Sequence, residues 1–335
     1  MGTVLVRREA RLLADIGGTN ARFALAAGGG GVIHIDTLAC ADYPRFEDVL
    51  RAYLARHPGY QVRHAVIAIA NPVGPDLVRM TNHDWEFSIE TVRAALGFAT
   101  LLVVNDFAAL AMAVPALHAS EVEAVGGGQA QAGAVIGLVG AGTGLGVAGL
   151  IPADGHWLAL QSEGGHVAFS PSDAREQAVL SYCWQRYAHV SAERLASGPG
   201  IALIHEALAA QRGSAPAPAL PTCEIVARAL ADTDPLCRET LDCFCGMLGT
   251  VAANVAVTLC ARGGIYIGGG VVPRLGAYFA RSPFRARFEN KGRFSAFTAQ
   301  IPTLLITAPY PALSGAAALL SRHLATHLEP HHVQH

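Results

Sequence analysis

The sequence predicts an α/β protein built from two similar halves around a cleft. Three observations lead there. Short apolar runs that read as buried strands alternate with longer stretches of helical apolar spacing. A strand, glycine turn, strand pattern around Gly17–Gly18–Thr19 returns at Gly140 to Gly144, as an internal duplication would leave it, although two unrelated glycine hairpins leave the same trace. A chain of 335 residues is also long enough for two domains, each with its own core.

The elements follow in order. Leu12 to Asp15 is an apolar run that reads as a buried strand ending in a carboxylate. GGTN is a tight turn, and ARFAL alternates like the return strand of a hairpin, with Gly28 to Gly31 as the next turn. Phe46 to Arg56 has helical apolar spacing, with Asp42 as its candidate cap. HAVIAIA, from His64 to Ala70, is a buried strand, and so is Leu101 to Val104. The latter ends at Asn105–Asp106, where a helix over FAALAMAVPAL begins. The pattern then restarts with a strand at Val135 to Val139, the turn GAGTGLG and a strand VAGLI. Ala132 to Ile151 is uncharged over about the length of a bilayer span. Its glycines weaken any helix, so strand, turn and strand is the expectation. APAPALP, Ala215 to Pro221, is a stiff surface loop. Gly246 to Ala261 is a nearly uncharged, hence buried, helix, and GIYIGGGVV, Gly264 to Val272, is a strand running into a glycine turn. The last helix spans about Ser314 to His327, and the His-rich tail reads as a frayed end rather than a metal site.

Composition narrows the class. Apolar residues make up 52% of the chain and charged ones 15%, which suits packed cores and not disorder. The net charge is −2 and no basic stripe interleaves with aromatics, so no nucleic-acid partner is expected. Arg7 and Arg8 are not followed by the apolar stretch of a signal peptide, so neither a leader nor a membrane partner is expected. The seven cysteines lack paired CxxC spacing, which fits a reducing, cytoplasmic compartment, with Cys243 and Cys245 as small core residues.

Glycine turns after buried strands let backbone N–H groups approach an anion. Three occur here, Gly17–Gly18–Thr19, Gly140 to Gly144 and Gly268 to Gly270, and two of them carry a threonine hydroxyl suited to phosphate oxygens. The only lysine is Lys291, far from all three, so neither a Walker loop nor a protein-kinase site is available. GAGTGLG matches Rossmann spacing, but a strand follows it rather than a helix. Asp15, just before the first turn, can orient Mg²⁺ directly or through water, or simply serve the turn. Asp106 at a strand end can take a proton from an attacking hydroxyl, or Asn105–Asp106 can cap the next helix. Glu163 and His166, separated by two glycines, together with Glu193, suit the paired hydroxyls of a sugar. Alone, Glu193 reads as a solvated helix charge. A zinc site at Glu163 and His166 lacks HExxH spacing.

Taken in order, LLADIGGTNARFAL, MTNHDW, VNDFAALAMAVP, VGAGTGLGVA, SEGGHVAFSP, HVSAERLASGPG, GGGVVPR and FENKGRF resemble the bacterial glucokinases over about residues 12 to 326. The resemblance implies the actin-like ATPase (ribonuclease H-like) duplicated fold. In that fold residues 1–116 and 307–328 would form a small α/β domain and 117–306 a large one, with 329–335 as a tail. It implies ATP and Mg²⁺ as cofactors, D-glucose as substrate and a homodimer. Ala14, Asp15, Ile16, Gly17, Gly18 and Thr19, with Gly140, Gly142, Thr143 and Gly144, would bind the phosphates, and Gly268, Gly269 and Gly270 would lie near the nucleoside. Asn105, Asp106, Glu163, His166 and Glu193 would hold the sugar, with Asp106 as base. The cysteine-rich zinc motif common among related sugar kinases and repressors is absent, and no DNA-binding segment is expected ahead of the first turn. Both favour a non-zinc kinase. The alternatives are another hexose kinase, acting on fructose or mannose, and a catalytically silent sugar-binding regulator.

Overall fold

A computed structural model describes residues 7–28, 31–71, 73–80, 83–213 and 220–328. The chain divides into two compact units, Met1–Ala116 with Pro309–His335, and Leu117–Ala308.

In the first unit the strands are β1 Arg8–Ile16, β2 Asn20–Ala27, β3 Val32–Ala39, β4 Tyr60–Ile69, the short pair β5 Leu77–Arg79 and β6 Glu86–Ser88, and β7 Thr100–Asn105. Five of them form one sheet in the order β3-β2-β1-β4-β7. The β1–β2 and β2–β3 pairs are antiparallel hairpins, whereas β1, β4 and β7 run parallel. Both faces of β1 are covered along its second half, which is why Leu12, Leu13 and Ala14 follow one another without a polar break, whereas Arg8 and Glu9 at its start are exposed. Leu12, Ala14 and Ile16 face a core closed by Phe46, Val49, Leu50 and Tyr53 of the helix Phe46–Arg56. Leu13 joins Ala24, Val66, Ala68 and Val104 on the other face, under the helices Asp106–Ala113 and Pro311–Leu328. Gly315 brings these two helices together, since a Cβ there would stand 1.7 Å from Ala109 O.

The second unit contains β8 Val122–Ala124, β9 Ile136–Ala141, β10 Leu145–Ala153, β11 His156–Ser162, β12 Ile265–Gly268 and β13 Thr303–Ile306, in the order β11-β10-β9-β12-β13-β8. Again two antiparallel hairpins lead into parallel neighbours, with β9, β12 and β13 parallel. The echo seen in the sequence is therefore a repeated sheet topology, with β8 added antiparallel at one edge. The helix Pro235–Leu259 runs through the core of this unit and carries the buried Cys237, Cys243 and Cys245. It is long and apolar enough to cross a membrane, yet most of it is buried in the unit. Glu176, fully buried, is held by Arg287 at 2.5 Å and by Ser172 N–H at 2.7 Å.

Four expectations change in detail. The core helix begins at Pro235, not Gly246, because Asp234 caps it through Leu236 and Cys237 N–H and proline is tolerated in the first turn. Asp42 does not cap Phe46–Arg56, since it closes a separate 3₁₀ turn, Cys40–Asp42, and Arg45 holds the cap position. The strand expected over Gly264 to Val272 is limited to Ile265–Gly268, after which Val272–Leu275 forms a 3₁₀ turn. Gly140 and Gly268 are paired strand residues, so the turns proper begin after them. Most of the proline-rich loop, Thr81 and Asn82 of MTNHDW, and the His-rich tail lie outside the described residues.

Candidate active site

In the first unit, the carboxyl ends of parallel β1, β4 and β7 share one edge of the sheet, the place where open α/β sheets bind ligands. Asp15 and the Gly17–Thr19 turn leave β1 there, and Asn105–Asp106 leave β7. Ala14 and Ile16 are wholly buried, paired to β2 on one side and β4 on the other. The turn is pinned by Gly17 N–H to Asn20 O at 3.0 Å and by Cys40 N–H to Thr19 O at 2.9 Å. Arg22 Nη1 donates to Asp15 Oδ2 at 3.1 Å. Burial pushes the Asp15 carboxyl up from the usual carboxylate range, and the Arg22 charge pulls against it.

Asn105 does cap the next helix, as one of the two local readings required. Its Oδ1 accepts Ala108 N–H at 3.0 Å, and its Nδ2 donates to Asn71 O at 3.4 Å. Asp106 is the first helical residue, with Oδ1 accepting Phe107 N–H at 2.8 Å. Capping by Asn105 thus leaves Asp106 at a helix N-terminus, where a negative charge is favoured.

The second unit assembles the remaining predicted residues. Glu163 precedes the 3₁₀ turn Gly164–His166, and Glu193 lies in the short helix Ala192–Leu195. His166 stands between them, with Nε2 3.9 Å from Glu163 Oε2 and Nδ1 3.9 Å from Glu193 Oε1. The segments around His166 and Glu193 are joined by Ala192 N–H to Val167 O at 2.8 Å, Phe169 N–H to Val190 O at 2.9 Å, and a ring bond from His189 to His166 O at 3.1 Å. The Gly142–Gly144 turn closes through Gly142 N–H to Gly144 O at 2.8 Å. The turn after β12 is tied to it by Val271 N–H to Ala141 O at 3.0 Å.

Sequence reasoning assigned no role to three groups found here. Gly198 N–H donates to Gly142 O at 2.8 Å, which sets the N-terminus of the helix Gly198–Gln211 beside the second glycine turn. Ser197 as N-cap, with proline in the first turn, was a readable helix start, but its neighbour in space was not. The other two are His189 and the Leu145 peptide, whose N–H donates to Glu193 Oε2 at 2.9 Å.

A family model named Glucokinase matches residues 12–323. The chain belongs to the glucokinase family. It is 52% identical to a glucokinase of Chromobacterium violaceum over 98% of this chain and 94% of that protein. It is 57% identical to a "Bifunctional protein glk" of Paraburkholderia xenovorans over 94% of this chain. There it spans about half of the relative's length, 49%. Among solved structures, a glucokinase from an Antarctic psychrotroph superposes with a TM-score of 0.83 at 36% identity, covering 93% of this chain and 99% of that one. The family fold is the actin-like ATPase fold expected from the sequence, and the twice-repeated sheet order is its duplication.

Among the described residues no cluster of three or more His, Cys, Asp or Glu is arranged to hold a metal. A single carboxylate beside a glycine turn does fit Mg²⁺, which keeps much of its water and takes its other ligands from a nucleotide's phosphates.

Proposed function

We propose that the chain phosphorylates D-glucose with ATP, giving glucose 6-phosphate and ADP. One observation carries this reading: the Glu163–His166 turn and Glu193, from two separate segments, converge in one cluster whose Glu193 accepts Leu145 N–H at the exit of the second glycine turn. Two carboxylates around an imidazole suit the hydroxyls of a sugar, and the adjoining turn suits phosphate. The N-terminus of the helix Gly198–Gln211 adds positive potential beside that turn.

In this reading Asp106 accepts the proton of the 6-hydroxyl as that oxygen bonds to the γ-phosphorus. The bond from phosphorus to the β,γ-bridging oxygen breaks, and ADP leaves. Asn105 holds the sugar beside it. The Gly17–Thr19 and Gly142–Gly144 turns present backbone N–H groups to the phosphates, and Gly268 to Gly270 lie by the nucleoside. Asp15 would hold Mg²⁺, directly or through water, and the ion would supply positive charge against the β- and γ-phosphates.

Purified protein should release ADP only with glucose and Mg²⁺ together. ADP release with fructose or mannose but not glucose moves the reading to another hexose kinase. Binding of glucose without turnover moves it to a silent sugar-binding protein. The same reading includes a homodimer, supported by the family resemblance and testable by light scattering. It also includes a cytoplasmic location within glycolysis, supported by seven free cysteines.

A further inference from the structure

The exit of the second glycine turn is enclosed by the sugar-side residues. Leu145 N–H donates to Glu193 Oε2 at 2.9 Å. Leu145 O packs on the loop that carries Glu163 and His166, so closely that a Cβ on Gly165 would stand 2.0 Å from it. Gly144 faces Glu193, since a Cβ there would lie 2.4 Å from Oε2, and its three nearest neighbours are all atoms of that side chain. The other oxygen of Glu193 faces His166 Nδ1 at 3.9 Å. A glutamate side chain a third exposed would otherwise sample several rotamers. A charge-assisted bond to a fixed peptide N–H selects one of them.

Resting on the sugar-kinase reading above, we propose that the Gly144–Leu145 peptide is a structural part of the sugar site, acting as a positioning group that holds Glu193 for the sugar and links sugar affinity to the state of the phosphate turn. Phosphates seated on the turn then set the Glu193 carboxylate, and sugar on the carboxylate sets the turn. Linkage requires the two effects to be equal.

The test measures glucose binding by calorimetry with and without a non-hydrolysable ATP analogue and Mg²⁺. It uses the wild-type protein and the variants Gly144→Ala, Glu193→Gln and Glu193→Ala. Gly144 lies outside the left-handed region, so an alanine there is opposed by Glu193 and the side chain must move aside. Gly144→Ala, although in the nucleotide turn, should weaken glucose binding about tenfold or more with no nucleotide present. In the wild-type protein the analogue should tighten glucose, and glucose the analogue, by the same factor, about five- to a hundredfold. Glu193→Gln keeps an acceptor for Leu145 N–H and should retain that factor while binding glucose less well. Glu193→Ala should bring the factor to one. If Gly144→Ala does not fold, the Gln and Ala pair decides. An unchanged glucose Kd in folded Gly144→Ala, or a wild-type factor in Glu193→Ala, overturns the link. A wild-type protein that binds both ligands independently overturns the link and leaves the kinase reading standing, whereas one that binds the analogue but no glucose overturns both.

Discussion

Asp106 opens a helix whose cap is its neighbour, so local chemistry gives that helix start to Asn105 and leaves the Asp106 carboxylate at a strand end. Asp106→Asn preserves size and the bond from Phe107 N–H but cannot take a proton. Turnover should fall by about 10² to 10⁴ while glucose binding largely persists, as initial rates beside calorimetry will show. Glu163 contributes no cap bond to its turn, and its side chain is about half exposed at 55%. Its replacement should therefore cost little stability. Glu163→Gln is expected to raise the glucose KM about ten- to a hundredfold, with the ATP KM and the melting temperature nearly unchanged. A lower melting temperature with a normal glucose KM would return EGGH to a structural turn. These residue types were legible in the sequence because carboxylates beside glycines or at strand ends are few in so apolar a chain. Arg22 lies opposite Asp15 across the expected hairpin, but Asn71 against Asn105, 34 residues away, follows from folding and not from spacing.

At the scale of the element, the two glycine turns are alike in sequence but differ in what surrounds them. A Cβ at Gly142 meets nothing within 4 Å, so a larger side chain there is tolerated by the fold and projects where a phosphate would approach. Gly142→Val should keep its melting temperature and lose ATP affinity and turnover more than glucose binding. Titration of both ligands by calorimetry decides it, and unchanged ATP affinity in a folded variant removes this turn from the nucleotide site. The periodicity that identified the strands and most helices is a local property, which is why β1, β4, β7 and β9 fall where apolar runs predict. The helix Pro235–Leu259 starts well ahead of the uncharged run that marked it, and its first turns carry Arg238, Glu239 and Asp242. Those charges lie on one side of a helix whose other side is core.

On the scale of the whole molecule, the chain leaves the first unit after Ala116, builds the second, and returns at Pro309. The helix Pro311–Leu328 then places Leu313, Ala316 and Leu320 on Leu13, Ala24 and Val66. The first unit therefore closes its core with residues from the far end of the sequence. Leu320→Ala, fully buried, should destabilise the protein by about 2–5 kcal/mol in denaturant melts, with near-normal kinetic constants for the folded fraction. The sequence by itself determined the α/β class, the duplicated strand and glycine-turn pattern, and the residue types that carry the proposed chemistry, because hydrophobic period and turn chemistry act over a few residues. Only the tertiary structure decided that Glu193 reaches across 48 residues to Leu145 N–H, that Gly198 meets the Gly142 turn, and that Gly315 seats the helix begun by Asp106. Those contacts depend on how sheets and helices pack at ångström distances, and nothing in the spacing of residues along a chain encodes such a distance directly.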